Sequence, residues 1–404
     1  MQEETPAAAP GPSFPLGFRT VVAGLAIAQT ISWAILYYGF SSFVLPMMRE
    51  TGWPKATLMG AYTLALLVWG LANYAVGAAI DRGHGRAVMS GGTVLGALSC
   101  AAWAMVSEPW MLYAALAAAG AAMAMTLYEP AFNILTKRYP TRYRDGITAL
   151  TLVAGFASTV SFPTAAWLIG AIGWRAALLV LAAVLLVVIA PLNAWLLRGP
   201  ALVAVPVAPD AQADATLHGA LRVPAFWLLT LAFTLHAFAG AGMWAHVMPA
   251  FEHKGLPESQ ALLVVALIGP AQVAGRFIWA SLGRGLSLHR LGVLVTAGMP
   301  LAMALFALST SLLPLMGFAI VFGLANGMVT IVRGGIVPEY FGRSHVGRIG
   351  GAMSAVSLVA RAAAPLAVAG LLLLLAGYTQ AMLAMAALGV VATLAFALAK
   401  PPRA

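Results

Sequence analysis

The chain alternates between long apolar runs and short polar connections. Twelve runs are long enough to cross a bilayer, since about 20 helical residues at roughly 1.5 Å each span its apolar core. The first six lie near residues 20–45, 56–80, 87–106, 110–135, 146–171 and 174–197, and the second six near 223–250, 259–282, 291–311, 313–338, 349–375 and 378–399. An isolated segment in lipid has to satisfy its own backbone hydrogen bonds, so we predict that each run is a helix.

A different kind of segment separates the two sets of six runs. Residues 198–222 read RGPALVAVPVAPDAQADATLHGALR, rich in Pro and Ala and without hydrophobic periodicity. This composition is typical of a connecting linker. We therefore predict an all-α integral membrane protein with twelve transmembrane helices. Two six-helix bundles, residues 1–197 and 223–404, are joined by the linker 198–222.

The composition agrees with a membrane protein and excludes several other classes. Of 404 residues, 62% are hydrophobic and 8% charged, too few for the surface of a soluble globule. The net charge of +10 comes from residues in the connections, so we expect the lipid bilayer as a partner and no nucleic acid. No metal-ligand, phosphate-binding or nucleophile motif is found, and we expect no enzyme activity, metal or cofactor.

Basic residues in the connections predict the orientation. With both termini in the cytoplasm, fifteen Lys and Arg lie on the cytoplasmic side and four, Arg49, Lys55, Arg175 and Lys254, on the other. This asymmetry favours cytoplasmic termini in the inner (plasma) membrane. The tail 1–15 has Glu3 and Glu4 as its only charges, unlike a signal peptide, so we expect the first span to be retained. We expect a monomer.

Three arginines lie inside predicted helices: Arg276, Arg333 and Arg361. A charge in hydrocarbon costs several kcal/mol unless it faces a partner or a watery cavity. The planar guanidinium also binds a carboxylate through two hydrogen bonds. Since Glu129 is the one acid within a predicted helix, the excess of buried positive charge predicts an anionic substrate.

Two of these arginines also have simpler interpretations. Arg276 lies about 10 Å from the turn at Gly283, by helical rise, so it could reach the headgroups or form a packing ion pair. Arg333 could pair with Glu339 or reach the headgroups in the same way.

Polar side chains on otherwise apolar helices are further candidates for substrate binding. They are Tyr37, Tyr38, Tyr128, His236, His246 and Gln272. A single Tyr or His in a span is more often a packing residue whose polar atoms are satisfied. Gly120 and Gly155 are interpreted as sites of close helix contact without a chemical role.

The connection after the second span carries a signature. Its sequence, GAAIDRGHGRAVM, ends a helix at Asp81 and turns through Gly85 between Arg82 and Arg86. An acid there can meet basic groups and helix ends across a sliding interface. It resembles the loop between spans two and three of the major facilitator superfamily, which implies two halves that rock about a central site. The resemblance assigns Asp81, Arg82, Gly85 and Arg86 to a conformational switch, although any polar hairpin could collect such residues.

Other segments resemble one branch of that superfamily. YEPAFNILTKRY at residues 128–139, TRYRDGITALTLVAGFAS after it, and GPAQVAGRF around Arg276 are similar to monocarboxylate porters and oxalate–formate exchangers. The resemblance implies that Arg276 binds the substrate carboxylate, with His246 beside it and Arg361 as a second cation. Gln272 stands one turn before Arg276, where animal porters have an Asp used in proton coupling.

These observations predict a secondary active transporter of small organic anions, monocarboxylates such as lactate or pyruvate in particular, working by alternating access. A proton or a counter-anion would drive it. Glu129 is the best available proton carrier, unless it forms a permanent ion pair with an arginine of the other half. The alternatives are an anion exchanger of the oxalate–formate type, a proton-driven multidrug exporter, and a sensor on the same fold that transports nothing.

Overall fold

The computed structural model describes residues 15–200, 214–282 and 285–401, which are almost entirely helical. The α-helices are α1 (Phe18–Trp33), α2 (Gly39–Thr51), α3 (Lys55–Asp81), α4 (Gly85–Ala104), α5 (Pro109–Thr126), α6 (Tyr128–Arg138), α7 (Tyr143–Ala154), α8 (Ala157–Ala183), α9 (Ala190–Leu196), α10 (Leu217–Leu221), α11 (Pro224–His253), α12 (Glu258–Leu282), α13 (Leu288–Leu308), α14 (Leu312–Phe341), α15 (Val346–Leu374) and α16 (Tyr378–Leu398). Two π-helical turns, Ala34–Tyr38 and Val184–Ile189, join α1 to α2 and α8 to α9. We refer to α1–α9 as the N-terminal half and to α11–α16 as the C-terminal half.

The described residues contain eleven stretches long and apolar enough to cross a membrane. The longest, Tyr143–Leu196, has 54 residues and is interrupted at Gly173. Gly173 has φ 78° and ψ 161°, a conformation open to glycine and costly for other residues. This interruption lies where the sequence separates the fifth span from the sixth. The stretch therefore holds two crossings, and the predicted fold of twelve transmembrane helices is confirmed.

Four of the predicted spans are not single regular helices, which corrects the sequence prediction. The first contains the π-helical turn Ala34–Tyr38. The fourth breaks at Leu127, whose ψ of −154° separates α5 from α6. The fifth breaks at Gly155 and Phe156, between α7 and α8. The sixth contains the π-helical turn Val184–Ile189.

The end of the predicted linker is ordered, contrary to the expectation of an irregular connection. The Thr216 hydroxyl accepts a 3.1 Å hydrogen bond from the Gly219 amide and caps the short helix α10. The Asp214 carboxylate accepts hydrogen bonds from the backbone amides of Arg343 (3.0 Å) and Ser344 (2.9 Å). This segment is therefore attached to the C-terminal half. Residues 201–213 of the linker lie outside the described residues.

Apolar side chains form separate cores on the two sides of the molecule. Phe43, Met47 and Leu112 are fully buried in the N-terminal half, and Phe306 and Phe322 in the C-terminal half.

The halves meet closely along α3 and α15. A Cβ at Gly77 would lie 2.0 Å from the carbonyl oxygen of Gly347, so only glycines permit this approach of the two backbones. The contact between these helices positions the two halves on either side of a cavity.

Candidate functional site

A cavity of about 1550 Å³ lies between the halves. Seven of the eight predicted binding or proton-coupling residues line it: Tyr37, Tyr38, Tyr128, Glu129, Gln272, Arg276 and Arg361. Arg333 and His236, weaker candidates from the sequence, line it as well. These polar side chains, which belong to different predicted spans, therefore line the same cavity.

The N-terminal half contributes residues to the cavity at three of the places where its helices are irregular: the π-helical turn Ala34–Tyr38, the α5–α6 break and the α7–α8 break. The Gln29 side chain donates a 2.6 Å hydrogen bond to the Thr126 carbonyl oxygen next to the α5–α6 break. The Ser161 hydroxyl donates a 2.6 Å hydrogen bond to the carbonyl oxygen of Ala34 in the π-helical turn. Both donors are buried, so the irregular backbone is held in place by specific bonds. Such turns are frequent at functional sites.

Arg276 is bound to both halves. Its Nε donates a 3.0 Å hydrogen bond to the Gly327 carbonyl oxygen in α14, and its Nη1 donates a 2.9 Å bond to the Thr151 carbonyl oxygen in α7. The residue is 5% exposed, and no carboxylate among the described residues is within ion-pair distance. Arg276 therefore neither reaches the headgroups nor forms a packing ion pair. Its Nη2 donates no hydrogen bond within the described part of the chain.

Gly155 makes room for this guanidinium. A Cβ at this position would lie 2.0 Å from Arg276 Nη1, closer than any two such atoms can approach. The interpretation of Gly155 as a helix-contact glycine is therefore wrong, because its neighbour is the arginine of the site. The sequence carries no signal of this role beyond a glycine near a break in a span.

Arg361 and Arg333 differ in their partners. The Arg361 guanidinium is half-buried and donates no hydrogen bond to any side chain or backbone group in the described ranges. Arg333 Nη2 donates a 2.6 Å hydrogen bond to the Ser354 hydroxyl. The alternative that Arg333 pairs with Glu339 is wrong, since Glu339 is paired with Arg144 instead. Arg361 thus keeps its donors free in the cavity.

Aromatic rings cover the N-terminal side of the cavity, and we call Trp33, Tyr37, Tyr38, Trp69 and Tyr128 the aromatic wall. The Trp33 ring is at its centre, with centroid distances of 4.7 Å to Tyr128, 5.1 Å to Tyr37 and 5.8 Å to Trp69. Tyr38 lines the cavity together with Arg276 and Arg361. The sequence analysis identified the tyrosines but missed both tryptophans.

Glu129 occupies the first turn of α6, at the edge of the cavity. The positive end of the α6 helix dipole lies at this turn. Its Oε2 atom is buried without a hydrogen-bond partner among the described residues, and it has no ion pair within 4.0 Å in that part of the chain. It is near enough to Arg333 for their charges to interact. A direct, permanent ion pair of Glu129 is therefore not observed.

His246 is not among the residues that line the cavity, which corrects the expectation from the family resemblance. Its Nε2 lies 3.0 Å from the Pro365 carbonyl oxygen and its Nδ1 lies 3.4 Å from the Tyr378 hydroxyl. Both ring nitrogens are thus used in contacts with α15 and α16. The histidine in the cavity wall is His236, which is 4% exposed.

Asp81 joins the halves at the end of the molecule that carries the Arg-rich connections, which we call the basic end. Its carboxylate lies 2.8 Å from Lys137 Nζ and accepts hydrogen bonds from the backbone amides of Gly347 (3.2 Å) and Arg348 (2.9 Å). Because these amides belong to the first turn of α15, Asp81 caps a helix of the opposite half.

The other members of the predicted switch have different surroundings. Arg82 and Arg86 are exposed and make no contact with Asp81, so the basic partner of the acid is Lys137 from the fourth span. Gly85 is buried, and a Cβ there would lie 2.9 Å from the Ile134 side chain.

A second pair links the halves at the basic end. Arg144 Nη2 lies 2.5 Å from Glu339 Oε2, with the Arg144 side chain 51% exposed. The contacts of Asp81 and Arg144 together join the two halves at the basic end.

Comparisons with known proteins agree with this architecture. A family model described as Major Facilitator Superfamily matches residues 24–365. Monocarboxylate transporter 11 of Mus musculus is 30% identical over 326 residues, covering 77% of this chain and 68% of that protein. The resemblance inferred from the Asp81 loop and the Arg276 segment is thereby confirmed at the level of the family.

Solved structures share the fold. The human organic anion transporter MFSD10 (TETRAN) has a TM-score of 0.75 at 17% identity, covering 95% of this chain and 100% of that chain. The E. coli fucose:proton symporter FucP has a TM-score of 0.73 at 13% identity, with coverage of 95% and 100%. FucP in the outward conformation has a TM-score of 0.72 at 14% identity, with coverage of 95% and 99%.

Proposed function

Because the chain belongs to the Major Facilitator Superfamily, we propose that it is a secondary active transporter of organic anions, with monocarboxylates as substrates, that works by alternating access. Membership of the superfamily makes it a multi-pass membrane protein with the fold of transporters, not of enzymes.

One observation supports an anionic substrate. The cavity wall holds three arginines, and one acid, Glu129, belongs to the same wall without pairing with them at ion-pair distance in the described ranges. Uncompensated guanidinium groups in a low-dielectric space are costly unless an anion binds there. A carboxylate that bridges Arg276 Nη2 and Arg361 would supply the missing charge. The similarity to a monocarboxylate transporter supports the same class of substrate.

The state of the molecule supports alternating access. The halves are joined at the basic end by Asp81 and by the Arg144–Glu339 pair, so the cavity is closed there. With the basic end in the cytoplasm, as we propose from the distribution of Lys and Arg, this is an outward-facing state. The similarity to FucP in its outward conformation agrees with that assignment. Inward opening then requires the contacts of Asp81 to break.

Proton coupling has a candidate in Glu129. In its charged form the carboxylate is stabilised by the α6 dipole and by the nearby positive charge of Arg333. A substrate anion among the arginines would offset that positive charge and raise the proton affinity of Glu129. Substrate and proton would then bind together, as in symport. A carrier without such coupling would exchange one anion for another.

The proposal is tested by uptake into proteoliposomes of the full-length protein. We expect labelled lactate or pyruvate to accumulate when the lumen is alkaline, and unlabelled monocarboxylates to compete. Binding of these anions in a thermal-shift assay without uptake or exchange would instead indicate a sensor. Uptake of hydrophobic cations without competition by carboxylates would indicate a drug exporter, and would overturn the proposal.

A further inference from the structure

We propose that the preferred substrate is an aryl monocarboxylate, bound with its ring on the aromatic wall and its carboxylate between Arg276 and Arg361. This inference rests on the proposed function and names the part of the substrate that the arginines do not recognise. It would distinguish this chain from carriers selective for short, aliphatic monocarboxylates.

The two sides of the cavity differ in chemistry. The three arginines belong to the C-terminal half, which also contributes Phe233, Trp244 and Phe277, whereas the N-terminal half contributes the aromatic wall and, within the described part of the chain, no arginine or lysine. A ligand that touches both the arginines and the aromatic wall needs an anionic end and an aromatic or apolar end. Phe162 extends the wall, with its ring centroid 6.3 Å from that of Tyr38.

Tyr38 joins the two regions. Its ring centroid is 6.1 Å from that of Trp33, and Tyr38 lines the same cavity as Arg276 and Arg361. A ligand whose carboxylate is held by these arginines therefore shares the cavity with the aromatic wall. An aryl group one or two carbons from the carboxylate would be placed against that wall. Phenylpyruvate and phenyllactate each carry a ring two carbons from the carboxylate and therefore suit this arrangement.

The size of the cavity favours a larger anion than lactate. Sites for small molecules are typically about 300–1,000 Å³ and bury roughly 70–90% of their ligand. The cavity has about 1550 Å³ in this open state, and a three-carbon acid has only a handful of heavy atoms. Such an acid held by the arginines would leave the aromatic wall uncovered. A ring on that wall adds aromatic contacts that a methyl group cannot make.

The experiment compares binding of matched anions to the purified full-length protein by calorimetry. The probes are lactate, phenyllactate and its cyclohexyl analogue, with phenyllactamide as a neutral control. We expect phenyllactate to bind about tenfold or more tighter than lactate, the cyclohexyl analogue to bind with intermediate affinity, and the amide not to bind. One aromatic contact contributes roughly a twofold to tenfold difference in affinity.

The location of the ring is tested by Trp33→Leu, with Trp33→Phe as the conservative variant. We expect Leu to reduce the ratio of phenyllactate to lactate affinity by about tenfold, and Phe to preserve most of it. Trp110→Leu is the matched control, because Trp110 is 69% exposed and does not line the cavity. If Trp33→Leu does not fold, Phe162→Leu tests the same wall with a side chain that is 46% exposed.

Failure of this inference is distinct from failure of the proposed function. Equal or tighter binding of lactate would overturn the aryl preference and leave monocarboxylate transport standing. An unchanged affinity ratio in both Trp33→Leu and Phe162→Leu would overturn the placement of the ring on this wall. No binding of any carboxylate would reject the proposed function itself.

Discussion

The Arg276 guanidinium and the carbonyl oxygen of Thr151 are joined by a 2.9 Å hydrogen bond, although the two residues belong to opposite halves of the molecule. Arg276 also donates a hydrogen bond to the carbonyl oxygen of Gly327 in its own half. A substrate carboxylate that draws the guanidinium away from Thr151 would release one of the bonds between the halves. Substrate recognition and movement of the halves would thus use the same side chain.

The first prediction concerns the shape of the cation at position 276. Arg276→Lys keeps the charge but loses the planar fork that reaches two carbonyl groups and a carboxylate. We expect roughly tenfold to a hundredfold weaker carboxylate binding, since a hydrogen bond to a charged group is worth about 1.5–3 kcal/mol. Calorimetry and proteoliposome uptake measure the effect, and Arg222→Lys on an exposed loop position is the control. Wild-type affinity in Arg276→Lys would remove this residue from the site.

The second prediction concerns the space beside Arg276. Gly155→Ala places a methyl group at the position of Nη1 while the backbone, in the right-handed helical region, accepts alanine. We expect the guanidinium to move and carboxylate affinity to fall about tenfold or more, with the thermal stability largely kept.

Gly170→Ala is the matched control for that variant. Gly170 lies in the next helix and has no atom within 4 Å of an added Cβ, so its substitution should leave binding unchanged. If Gly155→Ala binds carboxylates as well as Gly170→Ala does, the position of Arg276 in the structure is not the one that recognises substrate.

The third prediction separates the switch from the binding site. Asp81→Asn removes the charge that faces Lys137 and keeps one oxygen, which can accept from only one of the two amides that the Asp81 carboxylate binds, Gly347 on Oδ1 and Arg348 on Oδ2. We expect transport to slow by about tenfold, which corresponds to about 1.4 kcal/mol in the relative energies of the states or the barrier between them. The dissociation constant for the carboxylate should change by much less. Equal losses in uptake and affinity would contradict the assignment of Asp81 to the switch.

The Arg144–Glu339 pair provides a comparison for Asp81. The Arg144 side chain is 51% exposed, whereas the Asp81 and Lys137 side chains are 3% and 6% exposed. Exposed ion pairs contribute about 0–1 kcal/mol because water and salt screen them. Arg144→Ala should therefore slow transport less than Asp81→Asn does, when both uptake rates are measured at the same ionic strength.

The fourth prediction tests proton coupling at Glu129. Glu129→Gln mimics the protonated side chain permanently, so the loaded carrier can still cross but cannot release a proton. We expect accumulation driven by a pH gradient to disappear and exchange of substrate for substrate to persist. Glu252→Gln, at an exposed position near the end of α11, is the control. Persistent accumulation in Glu129→Gln would exclude Glu129 as the proton carrier and make a histidine, His236 first, the next candidate.

The sequence by itself determined the membrane class, the twelve spans and the presence of buried cations. These properties follow from local chemistry. A bilayer requires long apolar helices, and a charged side chain within them is costly unless it faces a partner or a watery cavity. The break at Gly173 could be placed from the sequence for the same reason, since two spans of the required length have to be separated there. The Asp81 loop was recognisable because its residues are adjacent in the chain.

The tertiary structure alone decided which polar groups meet. Arg276 is more than a hundred residues from Thr151 and Gly155 in the chain and meets them only where α7 breaks against α12. His246 was assigned to the cavity from its span, but the rotation of α11 directs it toward α15 and α16, while His236 on the same helix lines the cavity. The length of an apolar run predicts that the segment forms a transmembrane helix. The rotation of that helix about its axis and the positions of its breaks depend on packing against other helices, which no local pattern encodes.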